Sequence, residues 1–163
     1  MAVKARGVTL ALLLAAWALL AAGCAAQGAG GAASSADPTP LSSTQLRVFQ
    51  GEEWRLTRMV ENGIEVPLVA KSTVSLVFQG LDRVGGTASV NRYVGGFDLG
   101  AGGQITWKGP FGTTRMAGLP ELMAQETRYL QLLSKTIRAR TGGSRLILDD
   151  GTPSTLLEFS MVR

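Results

Sequence analysis

The sequence predicts an α+β fold in which a small curved antiparallel β-sheet, or half-barrel, packs against one helix at about residues 120–134. Short runs of alternating apolar and polar residues recur after Trp54, and turn residues separate them, which indicates strands. One later stretch has apolar residues three and four positions apart, which indicates a helix. The part of the chain that carries both patterns is about 110 residues long, which is enough for one hydrophobic core.

The beginning of the chain has the pattern of an export signal. Lys4 and Arg6 precede an apolar run at residues 8–22, and small residues then lead to Cys24. A run of about 15 residues is short for a membrane-spanning helix, which needs about 20. Residues 1–23 are therefore predicted to be a signal peptide that is removed.

Residues 20–24, Leu-Ala-Ala-Gly-Cys, resemble the lipobox of bacterial lipoproteins, in which the cysteine receives a diacylglycerol and becomes the new N-terminus. Cys24 is the only cysteine, so lipidation would leave the mature domain without a thiol. The resemblance implies membrane anchoring through lipid on Cys24. Because Ala25 follows rather than Asp, the implied location is the outer membrane, facing the periplasm, if the host is Gram-negative. A secreted protein that is cleaved nearby is the alternative.

Residues 24–50 are predicted to comprise the lipidated cysteine and a flexible tether. They are rich in Ala, Gly, Ser and Pro and have no sustained apolar periodicity. The folded domain is accordingly predicted at 51–163.

The strands of the domain are predicted from alternation and turns. Residues 54–59 and 64–66 flank Asn62-Gly63, the dipeptide favoured in type I′ hairpin turns. Further strands are predicted at 74–78, 83–89, 97–99, 104–107, 136–141, 145–148 and 155–161. The core positions predicted in the last three strands are Ile137, Leu146, Leu148, Leu156 and Phe159.

The predicted helix begins at Pro120, where the missing N–H of proline costs no hydrogen bond. Its expected buried stripe, which should cover the concave side of the sheet, consists of Leu119, Leu122, Met123, Glu126, Tyr129, Leu130 and Leu133.

Several short motifs occur together in the order found in the META domain (HslJ-like) family. They are Trp-Arg-Leu at 54–56, Gly-Thr-Ala-Ser-Val-Asn-Arg-Tyr-Val-Gly-Gly-Phe at 86–97 and Thr-Thr-Arg-Met-Ala at 113–117. The chain resembles this family over about residues 53–160. The resemblance implies a small antiparallel β structure wrapped against a helix, in envelope or secreted proteins linked to stress tolerance, drug resistance or motility. Relatives often carry a cysteine pair where this chain has Val90 and Gly118, and Val90 is expected to be a buried apolar substitute.

Composition argues against catalysis, metals and nucleic acid. The chain has no histidine, which excludes histidine-dependent nucleophile systems and imidazole zinc sites. Asp149-Asp150-Gly151 is typical of an exposed turn, and Gly86 stands where a phosphate loop needs lysine. We therefore expect no enzyme, no metal and no cofactor. Apart from Lys4 and Arg6 the charges are nearly balanced, so no nucleic-acid partner is expected.

The segment Asn91, Arg92 and Tyr93 is the candidate ligand-binding site, because an amide, a guanidinium and a phenol can together bind a carboxylate or a peptide edge. Structural roles for all three residues are the alternative. Arg138 and Arg140 can likewise form a solvated face or a binding patch. The predicted function is a non-catalytic, lipid-anchored envelope protein that binds a protein, peptide or wall component in stress tolerance. The alternative is a periplasmic inhibitor of a lysozyme or protease.

Overall fold

The computed structural model describes residues 37–163, which form a curled antiparallel β-sheet shaped as a half-barrel and one main helix. This confirms the predicted α+β class. The strands are β1 Thr39–Pro40, β2 Glu53–Glu61, β3 Ile64–Val66, β4 Ser75–Phe78, β5 Arg83–Ala88, β6 Asn91–Leu99, β7 Ile105–Trp107, β8 Gly112–Thr113, β9 Arg138–Gly142, β10 Arg145–Asp149 and β11 Thr155–Met161. The α-helices are α1, Ser43–Val48, and α2, Pro120–Lys135.

The sheet curls back on itself. Its strand order is β1-β9-β10-β11-β2-β4-β5-β6-β7, with β3 paired to β2 and β8 paired to β6. A bridge between Gln104 and Arg138 connects the β7 end to β9, and the N–H of Ile105 donates to the carbonyl of Ile137 at 2.8 Å. The inward faces of the strands therefore enclose the core, and the outward faces meet solvent.

The hairpin predicted at 54–66 is confirmed. Strands β2 and β3 are antiparallel, with Met59 opposite Val66. Asn62 and Gly63 have φ values of 53° and 77°, the two left-handed conformations that a type I′ turn requires.

A bulge interrupts the alternation of β2. Arg58 pairs with Glu158 and Leu56 pairs with Phe159, so Thr57 is the extra residue on this strand. Before the bulge, Leu56 is buried, whereas after it Met59 is buried and Arg58 is exposed. The two consecutive polar residues therefore mark a change of register within one strand.

The segment from residue 39 to residue 50 belongs to the folded domain, so the predicted tether extended too far along the chain. Thr39 of β1 pairs with Thr141 of β9. Helix α1 opens with a capping box in which the N–H of Gln45 donates to Ser42 Oγ and the N–H of Ser42 donates to Gln45 Oε1. Residues 1–36 lie outside the described residues. They include the predicted signal peptide, Cys24 and the first part of the predicted tether.

Two leucines explain why this polar segment folds. Leu41 and Leu46 are each 1% exposed, and they occupy the two positions of a hydrophobic staple around the N-cap of α1. The N–H of Leu41 also donates to the carbonyl of Ala139 at 2.9 Å. Burial of both side chains holds α1 on the core even though the surrounding composition is that of a linker.

Helix α2 is confirmed at the predicted position and ends one residue later. Leu119 is the N-cap and is 60% exposed, so it does not belong to the buried stripe. The buried face is partly polar and consists of Gln125, Glu126, Tyr129, Leu132 and Leu133. It packs against β11 and β5.

Two predicted core positions are wrong. Ile137 is 49% exposed because Thr136 takes the buried position at the junction between α2 and β9, where its carbonyl accepts a hydrogen bond from Trp107 Nε1. Leu156 is only half-buried because the inward positions of β11 are Thr155, Leu157 and Phe159. Leu146, Leu148 and Phe159 are buried as predicted.

Val90 and Gly118 are neighbours in space. A Cβ atom placed on Gly118 would lie 3.3 Å from Val90 Cβ and 2.5 Å from Val90 Cγ2. Val90 is half-buried, so the expected burial of this substitute is incomplete. The Val90 methyl groups therefore fill the space that a side chain at position 118 would need.

This contact predicts that Val90→Cys with Gly118→Cys forms a disulfide, because the Cβ separation approaches the 3.5–4.5 Å typical of these bonds. In a Cys24→Ser background, oxidation should consume both thiols and raise the free energy of unfolding by about 3–4 kcal/mol. Thiol titration and urea unfolding with and without reductant measure the effect, and each single cysteine variant is the control. Two thiols that stay free under oxidising conditions would contradict the contact.

Candidate functional site

Asn91, the first residue of β6, is 1% exposed and its side chain is fully hydrogen-bonded inside the protein. Its Oδ1 accepts from Thr114 Oγ1 at 2.8 Å and from the N–H of Met116 at 2.7 Å. Its Nδ2 donates to Glu126 Oε1 at 2.9 Å and to the carbonyl of Met116 at 3.2 Å. Asn91 therefore ties the loop before α2 to the helix itself.

Glu126 is the buried carboxylate that receives these donors. It is 6% exposed, and its Oε2 accepts from the N–H of Asn91 at 2.7 Å and from the N–H of Val90 at 3.3 Å. No basic side chain within residues 37–163 forms an ion pair with it. Backbone and amide N–H groups thus compensate for the desolvation of the carboxylate.

Tyr93 is also internal, paired with Tyr129. The two hydroxyl oxygens lie 2.7 Å apart, and the Tyr93 hydroxyl donates to the carbonyl of Ser75 at 3.0 Å. Burial raises the pKa of Tyr93 above its ordinary value of 10.0, and the hydrogen bond with Tyr129 offsets part of that rise. Burial raises the pKa of Tyr129 well above 10.0, and the charge and hydrogen bond of Tyr93 raise it further.

Arg92, which lies between Asn91 and Tyr93 in the sequence, is exposed and faces outward. It lines an open groove of about 520 Å³ on the outer face of β2, β4, β5 and β6. We call this depression the outer groove; the lining residues used below are Glu53, Ser75, Val77, Gln79, Thr87, Arg92 and Val94. Of the predicted triplet Asn91, Arg92 and Tyr93, only Arg92 therefore has a side chain that a ligand can reach.

No pattern in the sequence indicates the other polar groups of the outer groove. Glu53, Gln79 and Arg92 lie on or beside three different strands, and only strand pairing brings them to one depression. Alternation within each strand indicates which residues face outward. Only the order of the strands shows which of these outward residues are neighbours.

A second outward-facing surface carries arginines that are all ion-paired. We call it the paired face; its pairs are Arg58 with Glu65, Arg138 and Arg140 with Asp149, and Arg145 with Glu158, at 2.7–2.9 Å. Asp149 is 1% exposed and so is not part of an exposed turn. Asp150, in contrast, is a turn residue as predicted, because its Oδ1 accepts from the N–H of Thr152.

The described part of the chain contains no group of three or more side chains arranged to hold a metal ion. None of its helices has the length and apolar character needed to cross a membrane.

Comparison with known protein families confirms the resemblance seen in the sequence. The model of the META domain family matches residues 47–161. The chain belongs to the META domain family. The match begins within α1 and ends at the last residue of β11, so it covers nearly all of the described fold.

Two solved structures share the fold of this META domain. An NMR structure of a protein from Burkholderia xenovorans has a TM-score of 0.60 at 20% identity, covering 77% of this chain and 91% of that one. A second NMR structure has a TM-score of 0.52 at 22% identity, covering 74% and 95% of the two chains. Identities this low show the fold alone. No curated protein matches the sequence.

Substitutions of Asn91 and of its neighbour Arg92 should differ in their effect on the stability of the META domain. Asn91→Ala leaves the buried Glu126 carboxylate and the Met116 N–H short of partners, so it should lower the free energy of unfolding by about 2–3 kcal/mol. Arg92→Ala, at an exposed position, should change it by less than about 0.5 kcal/mol. Urea unfolding of the two variants measures both values, and equal losses would contradict the division between an internal and an outward role.

The tyrosine pair predicts a specific response to alkali, since Tyr93 and Tyr129 are the only tyrosines in the chain. Unfolded tyrosines ionise near pH 10, whereas the raised pKa values keep both protonated in the folded domain. Above about pH 10 the unfolded state therefore binds fewer protons, and stability, complete below that pH, falls as pH rises.

Tyrosinate absorbance should consequently appear only together with loss of circular dichroism. Free tyrosine in the same buffers is the control for the unperturbed titration. Tyrosinate formed near pH 10 in a still folded domain would show that the pair is accessible to solvent.

Proposed function

We propose that this chain is a non-catalytic, lipid-anchored protein of the cell envelope whose META domain binds a protein, peptide or wall component and contributes to stress tolerance. The observation that carries the anchoring is the position of Cys24. It is the only thiol, and it directly follows a basic, apolar and small-residue sequence with the order of a lipoprotein signal. In a Gram-negative host the domain would face the periplasm from the outer membrane.

Binding rather than chemistry is supported by the surroundings of the candidate polar side chains. Asn91, Glu126 and the two tyrosines are engaged with one another inside the fold. Arg92 instead faces the open outer groove, and guanidinium groups bind carboxylates and other anions without bond making or breaking.

The short connection to the anchor favours a partner located at the membrane. Residues 25–38 separate Cys24 from β1, and a chain of this length reaches at most about 50 Å. A domain held within this distance would encounter membrane proteins and wall material near the bilayer.

Replacing Cys24 by Ser tests the anchor. Wild type should be recovered in membranes after alkaline extraction, and its mature N-terminal fragment should carry the mass of attached lipid. Cys24→Ser should lose both properties, because buried acyl chains supply the membrane affinity at about 0.8 kcal/mol per CH₂ group.

Cys24→Ser combined with Ala26→Cys is the matched control, since it keeps a thiol nearby but moves it out of the motif. It should behave like Cys24→Ser. Firm membrane association of either variant would refute lipidation of Cys24 as the anchor.

A further inference from the structure

The arginines of the strands divide into two groups. Those of the paired face are all neutralised by carboxylates, as described above. Arg92 lines the outer groove, and strand register places Arg55 and Arg83 beside it. All three are exposed, and none of them has an ion pair within residues 37–163. The strand arginines without an ion pair therefore lie in or beside the outer groove, whereas the remaining strand arginines are compensated by carboxylates.

Strand register places hydroxyl groups between two of these arginines. Arg55 of β2 is opposite Ser75 of β4, and Thr87 of β5 is opposite Arg92 of β6. Strands β4 and β5 are adjacent, and the N–H of Thr87 donates to Ser75 Oγ at 3.3 Å. A row of guanidinium, two hydroxyls and guanidinium thus crosses four strands.

The floor of the outer groove carries a side-chain amide. Gly85 leaves space on the outer face, and a Cβ atom there would lie 2.5 Å from Gln79 Nε2. Gln79 is exposed and lines the outer groove, so the donors and the acceptor of its amide are available to a ligand. Val77 and Val94 supply apolar contact beside it.

Glu53 is the only carboxylate that lines the outer groove, and it lies at the opposite side from Arg92. It is on β2 and Arg92 is on β6, three strand spacings apart, which corresponds to about 14–15 Å between strand axes. An extended peptide advances at most about 3.3–3.6 Å per residue, so about four residues span this separation.

We propose that the outer groove binds a short acidic peptide of about four residues, with its terminal carboxylate on Arg92 and its amino group on Glu53. Further carboxylates of the peptide face Arg55 and Arg83. The amide of Gln79 pairs with the peptide backbone, because an amide supplies both donors and an acceptor.

This assignment deepens the proposed function by naming the class of ligand. A phosphate site gathers its donors around one point, whereas the guanidinium groups here are spread over several strands and Glu53 would repel a phosphate. The separation of opposite charges matches a peptide with free ends.

The test titrates the full-length chain, purified in detergent, with the tetrapeptide Ala-Glu-Glu-Ala in a calorimeter. We expect saturable binding with one peptide per chain. Arg92→Gln should weaken it about tenfold or more and abolish the preference for a free over an amidated carboxyl end. Glu53→Gln should weaken binding of the free peptide similarly but leave binding of its N-acetylated form unchanged.

Lys135→Gln, which removes one positive charge at the end of α2, is the matched control and should bind like wild type. No saturable binding at millimolar peptide, or an equal loss in Lys135→Gln, would overturn the proposal. Arg92-dependent binding of inorganic phosphate or of phosphatidylglycerol vesicles that equals or exceeds binding of the peptide would replace the peptide with a phosphate ligand.

The two proposals can fail separately. If the chain is released from membranes but binds the peptide, only the proposed anchor is refuted. If the chain is lipid-anchored but does not bind the peptide, only the proposed peptide site is refuted.

Discussion

The attachment of α2 to the sheet depends on buried polar side chains on one face of the helix, above all on Glu126. Its carboxylate holds the backbone at the turn from β5 to β6 through the N–H groups of Val90 and Asn91. One residue earlier, the Gln125 amide donates to Ser72 Oγ and Ser89 Oγ. One turn later, Tyr129 meets Tyr93. Apolar contact alone would allow the helix to slide, whereas these directional bonds fix its position along its axis.

The same network connects two of the sequence motifs through which this chain resembles the family. Asn91 belongs to the motif at 86–97, and it binds Thr114 and Met116 of the motif at 113–117. The residues of the two motifs therefore meet at one junction of β6, the loop before α2 and α2 itself. In this chain the motif residues that meet here close the fold. The surface that a ligand can reach lies beside them, at Arg92.

Local patterns were sufficient for the elements whose structure is decided locally. Asn62-Gly63 dictated its turn, and the spacing after Pro120 dictated α2. The pattern failed at α1, where composition concealed a capping box and a leucine staple between Leu41 and Leu46. It also failed where a neighbour decides burial, as at Ile137, which Thr136 displaces from the core. The outer groove could not be predicted, because Glu53 and Arg92 are brought together by the pairing of strands β2, β4, β5 and β6.

The position of β1 has a mechanical consequence. It pairs with β9 through two residues, Thr39 and Pro40, beside the bridge of Gln104 to Arg138 that brings β7 back to β9. In a chain anchored at Cys24, tension between the membrane and a captured partner passes first through this short strand. Leu41 and Leu46, which follow β1 along the chain and are buried in the core, are then the next contacts that oppose the pull.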